Sequence, residues 1–255
     1  MFDELKGKAV LVTGSSTGIG AAIAKGFGRL GATVVVHYNA SGAAAEAVAA
    51  EIRAQGGTVH LLQGDVSDSA VAARIVDQAA ERCGGRLDIL VTNAGAMVER
   101  RLIAECDDAL LDRVIDLNIR SVIAGVRAAV PWFRRAGKGN IVNVTSIAAR
   151  NGGSAGAGIY AASKGFISTL THGLAKEHAK DNIRVNAIAP GVILTPFHER
   201  YSTAAQLEAA RGTIPMGRFG TAEECVGAVL FLATDALSAY VTGQVIEING
   251  GQLMP

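Results

Sequence analysis

A chain of 255 residues is long enough for one large α/β unit and short for two ordinary domains. Its 24 Lys and Arg nearly balance 23 Asp and Glu, which excludes a broad electrostatic grip on nucleic acid or anionic lipid and points to a small-molecule partner. Three scattered cysteines, Cys83, Cys106 and Cys225, form no C-x-x-C pair, and the charged start "MFDELKGKAV" and interrupted apolar stretches lack export or membrane-span patterns, so a soluble cytoplasmic protein with reduced thiols is expected.

Along the chain, short β-branched runs alternate with Ala-rich segments of helical period. The runs are "KAVLVT", "TVVVHY", "TVHLLQ", "LDILVT", "GNIVNVTS", "IRVNAIAP" and "GQVIEING". They are nearly all apolar rather than alternating, as strands buried on both faces of a parallel sheet are. Between them, "IGAAIAKGFGRLG", "GAAAEAVAAEIRAQGG" and "SDSAVAARIVDQAAERCGG" end in glycines suited to helix termination. The alternation predicts a single-domain α/β, Rossmann-type, doubly wound seven-stranded parallel sheet with helices on both faces.

After the first strand, "VTGSSTGIG" places Gly14, Gly18 and Gly20 ahead of a helix. A tight turn of this kind lets backbone N–H groups approach a pyrophosphate, although the spacing G-x3-G-x-G departs from the G-x-G-x-x-G pattern. The second strand ends in "VVVHYNAS", with no acid before Glu46. A ribose-binding carboxylate would be expected there in an NAD site.

Beyond the fifth strand, "TSIAARNGGSAGAG" and the connection of about residues 191–220 predict loops at the carboxyl ends of strands, where substrates bind and lids form. "TAEE" at Thr221 to Glu224 reads as a capping box opening the last helix. The basic group Arg134, Arg135 and Lys138 is expected to be solvated surface. The five histidines lack metal-ligand spacing, so no metal site is expected. His198 or Arg200 in "FHER" is placed to meet an anionic or hydroxyl-rich substrate, or is simply a solvated loop start.

"IYAASK" sets Tyr160 and Lys164 on one helix face. A phenol with pKa near 10 donates a proton readily at neutral pH but accepts one poorly. Lowering it by about two to three units takes roughly 3–4 kcal/mol, and a cation about 4 Å away supplies that order of energy at an effective dielectric near 20. Ser146, closing the fifth strand, would face a carbonyl oxygen shared with Tyr160, and Asn118 in "DLNIRSV" would add a polar link to a water.

Together the glycine loop Thr13 to Gly20, "DV" at Asp65 and Val66, "NAG" at Asn93 to Gly95, Asn118, Ser146, Tyr160-x-x-x-Lys164 and "PGVILT" at Pro190 to Thr195 resemble the short-chain dehydrogenase/reductase family, from about Lys8 to Gln252. The resemblance implies that Gly14, Ser16, Thr17, Gly18, Ile19 and Gly20 cradle the pyrophosphate, that Asp65 and Val66 hold the adenine, and that Asn93, Ala94 and Gly95 support the nearer ribose. Tyr160 would be the acid/base, Ser146 the residue orienting the substrate oxygen, Lys164 the group that holds the nicotinamide ribose and lowers the phenol, and Asn118 the anchor of a proton relay. Pro190, Gly191, the backbone around Ile193 and the hydroxyl of Thr195 would line the nicotinamide side. Ser146 and Tyr160 are one residue further apart than in many members, and the Gly-rich loop between them absorbs the difference.

With hydride chemistry implied, the uncharged end of the second strand selects the cofactor. Tyr38, Asn39 and Ser41 offer a ring, an amide and a hydroxyl where an acid would repel a 2′-phosphate, so NADP(H) is expected to be preferred, with NAD(H) also usable. The expected activity interconverts a ketone or aldehyde and an alcohol, on a 3-oxoacyl substrate or on a sugar or polyol. A non-catalytic dinucleotide-binding sensor is the rival, opposed by the intact set Asn118, Ser146, Tyr160 and Lys164. The resemblance also implies a homotetramer or homodimer built on two long helices, about Asp107 to Arg135 and Gly158 to Lys180.

Overall fold

The computed structural model describes residues 2–254. All seven apolar runs form strands: β1 Ala9–Val12, β2 Thr33–Tyr38, β3 Thr58–Gln63, β4 Ile89–Thr92, β5 Gly139–Val144, β6 Ile183–Pro190 and β7 Val245–Ile248. They make one parallel sheet in the order β3-β2-β1-β4-β5-β6-β7. The chain winds outward from β1 to β3, then returns to pair β4 on the other side of β1, with Val10 opposite both Val34 and Ile89. Reversal between β1 and β4 sends successive crossovers in opposite directions and opens a crevice at the strands' carboxyl ends.

Side chains of period two feed the two faces. Val10 and Val12 pack with Ile23 and Phe27 of α1 (Gly18–Arg29), Val48 and Ile52 of α2 (Gly42–Ala54), and Val226 and Val229 further along the chain. Leu11 and Leu90 point the other way, onto Ile75 of α3 (Ser69–Arg82), Val126 and Phe133, and Ile167. These interior residues are essentially free of solvent, so apolar burial on both faces fixes which way each strand sits.

The first predicted long helix is not continuous. It runs as α4 Asp108–Ile115, a π-turn Asp116–Arg120 and α5 Ser121–Ala136. Asp107 caps α4, its carboxylate accepting the Leu110 N–H at 2.8 Å, while the π-turn carries Asn118 inward, where it is buried. Such turns interrupt helices most often at functional sites. The second long helix is α7 Gly158–His178, preceded by the single turn α6 Ala148–Asn151 in the Gly-rich loop.

Residues 191–220 carry two short helices, α8 Pro196–Tyr201 and α9 Ala204–Arg211. A capping box occurs at α9, between Thr203 and Gln206, and not at "TAEE". There the Glu224 carboxylate does accept the Thr221 N–H at 2.9 Å, but Arg218 grips the same carboxylate and the Glu224 N–H bonds the Thr221 carbonyl instead of its hydroxyl. The segment forms a 3₁₀ turn leading into α10 Val226–Ala233, and a further helix, α11 Asp235–Ser238, follows it. Among the described residues no helix is long and apolar enough to cross a membrane.

Candidate active site

The glycine loop is shaped by contacts that tolerate no side chain. Gly14 and Gly18 have φ of +62° and +57°, and a Cβ on Gly14 would lie 2.9 Å from Ala94 Cα. A Cβ on Gly20 would lie 2.4 Å from Asn93 Nδ2 and 2.5 Å from the Gly14 carbonyl. Asn93 braces the turn by donating to the carbonyls of Thr13 and Gly14, both at 2.9 Å. Thr17, at the N-cap of α1, makes no side-chain capping bond, so the first N–H groups of that helix keep their capacity for an anion.

His37, one of the histidines the sequence left without a role, pins this loop to β2. Its Nδ1 accepts the Gly14 N–H at 2.9 Å and its Nε2 faces the Gly64 carbonyl at 3.0 Å. Its backbone N–H donates to Ser15 Oγ at 3.1 Å and its carbonyl accepts the Ser15 N–H at 2.9 Å. Only the neutral ring protonated at Nε2 satisfies both side-chain bonds. Burial, the largest influence, holds its pKa below the ordinary value, with the Gly64 carbonyl and Asp65 pulling the other way.

At the ends of β2 and β3, Tyr38 is half-buried beside Gly42, while Asn39 and Ser41 are exposed. Ser41 opens α2 without a side-chain capping bond. Asp65 accepts the N–H and Oγ of Ser67 at 3.0 and 2.7 Å. These bonds, and a further one from the Asn39 side chain, hold its carboxyl below the usual range. Val66 is buried in a small cluster with Ala72 and Ala124, against Ala94.

Ser146 leaves β5 with its Oγ accepting the Ala148 N–H at 3.1 Å, and its hydroxyl lies near enough to the Tyr160 side chain to favour the phenolate. One turn along α7, Lys164 is 5 % exposed, and its Nζ donates to the Val144 carbonyl at 2.9 Å. That nitrogen lies 5.9 Å from the Tyr160 ring centroid. Burial pushes the phenol up to about 12 against the Ser146 hydrogen bond, and burial pushes the ammonium down to about 8. Desolvation of the phenolate is the larger influence, so in the chain by itself the phenol stands above its ordinary value.

Asn118 ties these elements together. Its Oδ1 accepts the Ala96 N–H at 2.9 Å, and its Nδ2 donates to the Ala96 carbonyl at 2.9 Å and to Ser163 Oγ at 3.0 Å. Ser163 Oγ in turn donates to the Tyr160 carbonyl at 2.7 Å. Gly95 leaves room for both groups, since a Cβ there would sit 2.9 Å from Asn118 Oδ1 and 3.1 Å from Lys164 Nζ.

A cleft of about 600 Å³ runs from the glycine loop past Ser146, Tyr160 and Lys164 to the underside of α8 and α9. Its walls bring together Gly14, residues 17–20, Asn93, Gly95, Pro190, Gly191, Ile193 and Thr195. Ser16, Ala94 and Asn118 lie outside the wall, and the group Tyr38, Asn39, Ser41, Asp65 and Val66 lies beyond it at the strand ends. Phe197 of α8 roofs the reactive end, 5.6 Å from the Tyr160 ring and 4.9 Å from Tyr201. His198 lines the cleft, whereas Arg200 is exposed over the Tyr201 ring and is not a wall residue. Arg100, Asn151 and Gln252 also line it. The basic group on α5 is engaged elsewhere, with Arg134 paired to Asp181 and Lys138 to Asp235.

Residues 14–252 match a family model described as enoyl-(acyl carrier protein) reductase. The 3beta-hydroxysteroid dehydrogenase 1 of Eggerthella lenta is 40% identical over 260 residues, covering 100% of this chain and 97% of the relative. A 3-oxoacyl-(acyl-carrier-protein) reductase FabG of Pseudomonas aeruginosa is 40% identical over 251 residues, with 98% and 99% covered. Among solved structures, the NADH-dependent reductase A1-R' complexed with NAD superposes with a TM-score of 0.89 at 38% identity, each chain covered completely. A short-chain dehydrogenase from Burkholderia cenocepacia in complex with NADP gives 0.90 at 34% identity, with 97% and 98% covered. The fold and site define a dinucleotide-dependent oxidoreductase. The chain belongs to the short-chain dehydrogenase/reductase family and acts on hydroxyl and carbonyl groups with NAD(P).

The His37 contact carries a pH dependence. Its folded-state pKa lies below the unfolded value near 6.5, so its stabilising contribution is complete above about pH 6.5 and is lost as the pH falls through the depressed value. Urea midpoints of the wild type should fall more between about pH 6.5 and 5 than those of His37→Asn, whose amide keeps an acceptor that does not titrate. Parallel declines would contradict this role.

Proposed function

We propose that this enzyme interconverts a ketone or aldehyde and the corresponding alcohol, prefers NADP(H), and uses Tyr160 as its proton donor and acceptor. The observation that carries the reading is the meeting of Ser146, Tyr160, Lys164 and the glycine loop in the wall of one cleft. A dinucleotide fits the residues present: the glycines let the loop turn tightly against Asn93 and Ala94, and the α1 N-terminus has no side-chain cap, so its N–H groups can take a pyrophosphate. The nicotinamide, when bound, supplies or takes up the hydride.

The chain's own residues do the rest. Ser146 and Tyr160 present two hydroxyls to one substrate oxygen, Ser146 fixing its position while Tyr160 gives up its proton in reduction. With its pKa near 12 the phenol is fully protonated at neutral pH, as a donor must be. Oxidation needs the phenolate, and the Lys164 ammonium is the charge that favours it. Asn118 holds the loop after β4 against α7, and through Ser163 it fixes the backbone at Tyr160. The segment 191–220 acts as a lid, its Phe197 excluding water beside Tyr160.

The NADP(H) preference is supported by the end of β2, where no side chain of Tyr38, Asn39 or Ser41 repels a 2′-phosphate and the α2 N-terminus is uncapped. Assembly into dimers or tetramers through the outer faces of α4, α5 and α7 is supported by the exposed Leu111, Ile123 and Phe166 there. A 3-oxoacyl thioester and a sugar or polyol both bring a suitable carbonyl or hydroxyl. The polar wall residues Arg100, Asn151, Gln206 and Gln252 favour a compact hydroxylated substrate.

Tyr160→Phe should lower NADPH-dependent carbonyl reduction on the order of a thousandfold with NADPH affinity nearly unchanged; equal activity of the variant would remove Tyr160 from the role. A carboxylate about 6 Å from a 2′-phosphate costs about 3 kcal/mol per unit charge at an effective dielectric near 20. Tyr38→Asp should therefore cut the ratio of kcat/KM for NADPH over NADH by about tenfold or more. A constant ratio would place phosphate recognition elsewhere.

A further inference from the structure

The cleft wall contains no aspartate or glutamate, and besides Lys164 its permanent cation is Arg100. Arg100 sits in the loop after β4, half-buried. Its Nε donates to the Tyr201 carbonyl at 3.0 Å, and its Nη1 to Ser154 Oγ at 2.9 Å and the Ala155 carbonyl at 2.8 Å. All three acceptors are neutral. The neighbouring acid, Glu99, is taken by Arg101 and Arg113. A guanidinium stays charged throughout the physiological range and offers five donors in a fixed fork, so Arg100 brings to the cleft a cation that has no counter-ion among the described residues and an Nη2 edge that none of them takes up.

We propose that Arg100 binds the carboxylate of an anionic carbonyl substrate and is a specificity-determining residue for this enzyme. The inference rests on the reductase reading above and narrows its substrate to hydroxylated oxo acids or their alcohol counterparts. Position supports it. Arg100 is anchored to the backbone of Tyr201, whose ring packs on Phe197, which packs on Tyr160. The cation thus lies two ring contacts from the proton donor, so carboxylate and carbonyl are separated by several bonds.

The rest of that end of the cleft suits hydroxyl groups. Gln252 uses its Nε2 on Thr213 Oγ1 at 2.7 Å, while its buried Oε1 has no partner among the described residues and can accept from a hydroxyl. His198 is held by Ser202 at 3.0 Å, and burial first, then Arg100, keep its pKa below the ordinary value. A neutral imidazole there leaves Arg100 to carry the recognition of charge. The loop from Ser154 to Gly156 packs on Arg100 so closely that a Cβ on Gly156 would meet Arg100 Cγ at 2.8 Å. That loop thereby seats the guanidinium.

Calorimetric titration of the NADPH-loaded enzyme with succinate, glutarate and adipate, each beside its dimethyl ester, tests the site without turnover. At least one diacid should bind about tenfold or more tightly than its ester, as a charge-assisted contact to the Nη2 edge does. Arg100→Gln should abolish the difference, and Arg100→Lys should retain part of it. In turnover, an oxo acid should be preferred over its methyl ester in KM, and Arg100→Gln should raise KM for the acid while leaving the ester unaffected.

Diacids that bind no better than esters to the wild type would overturn the proposal, whether or not the variants fold. An Arg100→Gln variant that weakens acid and ester alike would leave Arg100 a structural staple and overturn it too. Either result leaves the reductase reading intact if neutral ketones are still reduced with dependence on Tyr160. Loss of that dependence would sink the reductase reading while the diacid titration still judges the anion site.

Discussion

The site depends on a buried ammonium that no carboxylate among the described residues balances. Lys164 is nearly inaccessible, bonds only the Val144 carbonyl among those residues, and is driven toward neutrality by desolvation. Keeping a cation in such a place is costly unless further acceptors arrive. A polyhydroxyl ligand in the cleft would supply acceptors, so binding and charging of Lys164 reinforce one another. Tyr160 is pushed up by the same desolvation, and in the proposed mechanism it can accept a proton only beside a fully charged lysine.

Everything nearby serves to hold that arrangement. β5 delivers both the carbonyl that anchors Lys164 and, just past its end, Ser146. The π-turn presents Asn118, which fastens the loop after β4 to α7. His37 ties the glycine loop to β2, and Asn93 ties it across the crevice to the end of β4. Short crosslinks between strand ends make both walls rigid, as preorganised sites require.

The strands were legible because β1, β2, β4, β5 and β6 are buried on both faces, and such runs are apolar whatever their partners. The sheet order was not legible, since pairing is decided by chain crossovers rather than by local composition. Tyr160, Lys164 and Ser146 could be read because their chemistry shows in short spacings. His37 and Arg100 could not, because a histidine inside a strand and an arginine in a charged loop acquire meaning only from residues tens of positions away. The position of Arg100 in a loop leaving the carboxyl end of β4 was the one local hint. "TAEE" misled because Arg218, outside the motif, captures the glutamate on which the pattern relies.

The central claim is that Lys164 changes the acidity of Tyr160 only when the dinucleotide is present. Titration of the enzyme labelled with carbon-13 at the tyrosine Cζ, with the Tyr160 resonance assigned by Tyr160→Phe, measures this directly. The account predicts a pKa near 12 in the free enzyme and a fall of about two units or more with NADP bound, a fall that Lys164→Met abolishes. A value unaffected by NADP, or an equal fall in Lys164→Met, would contradict it.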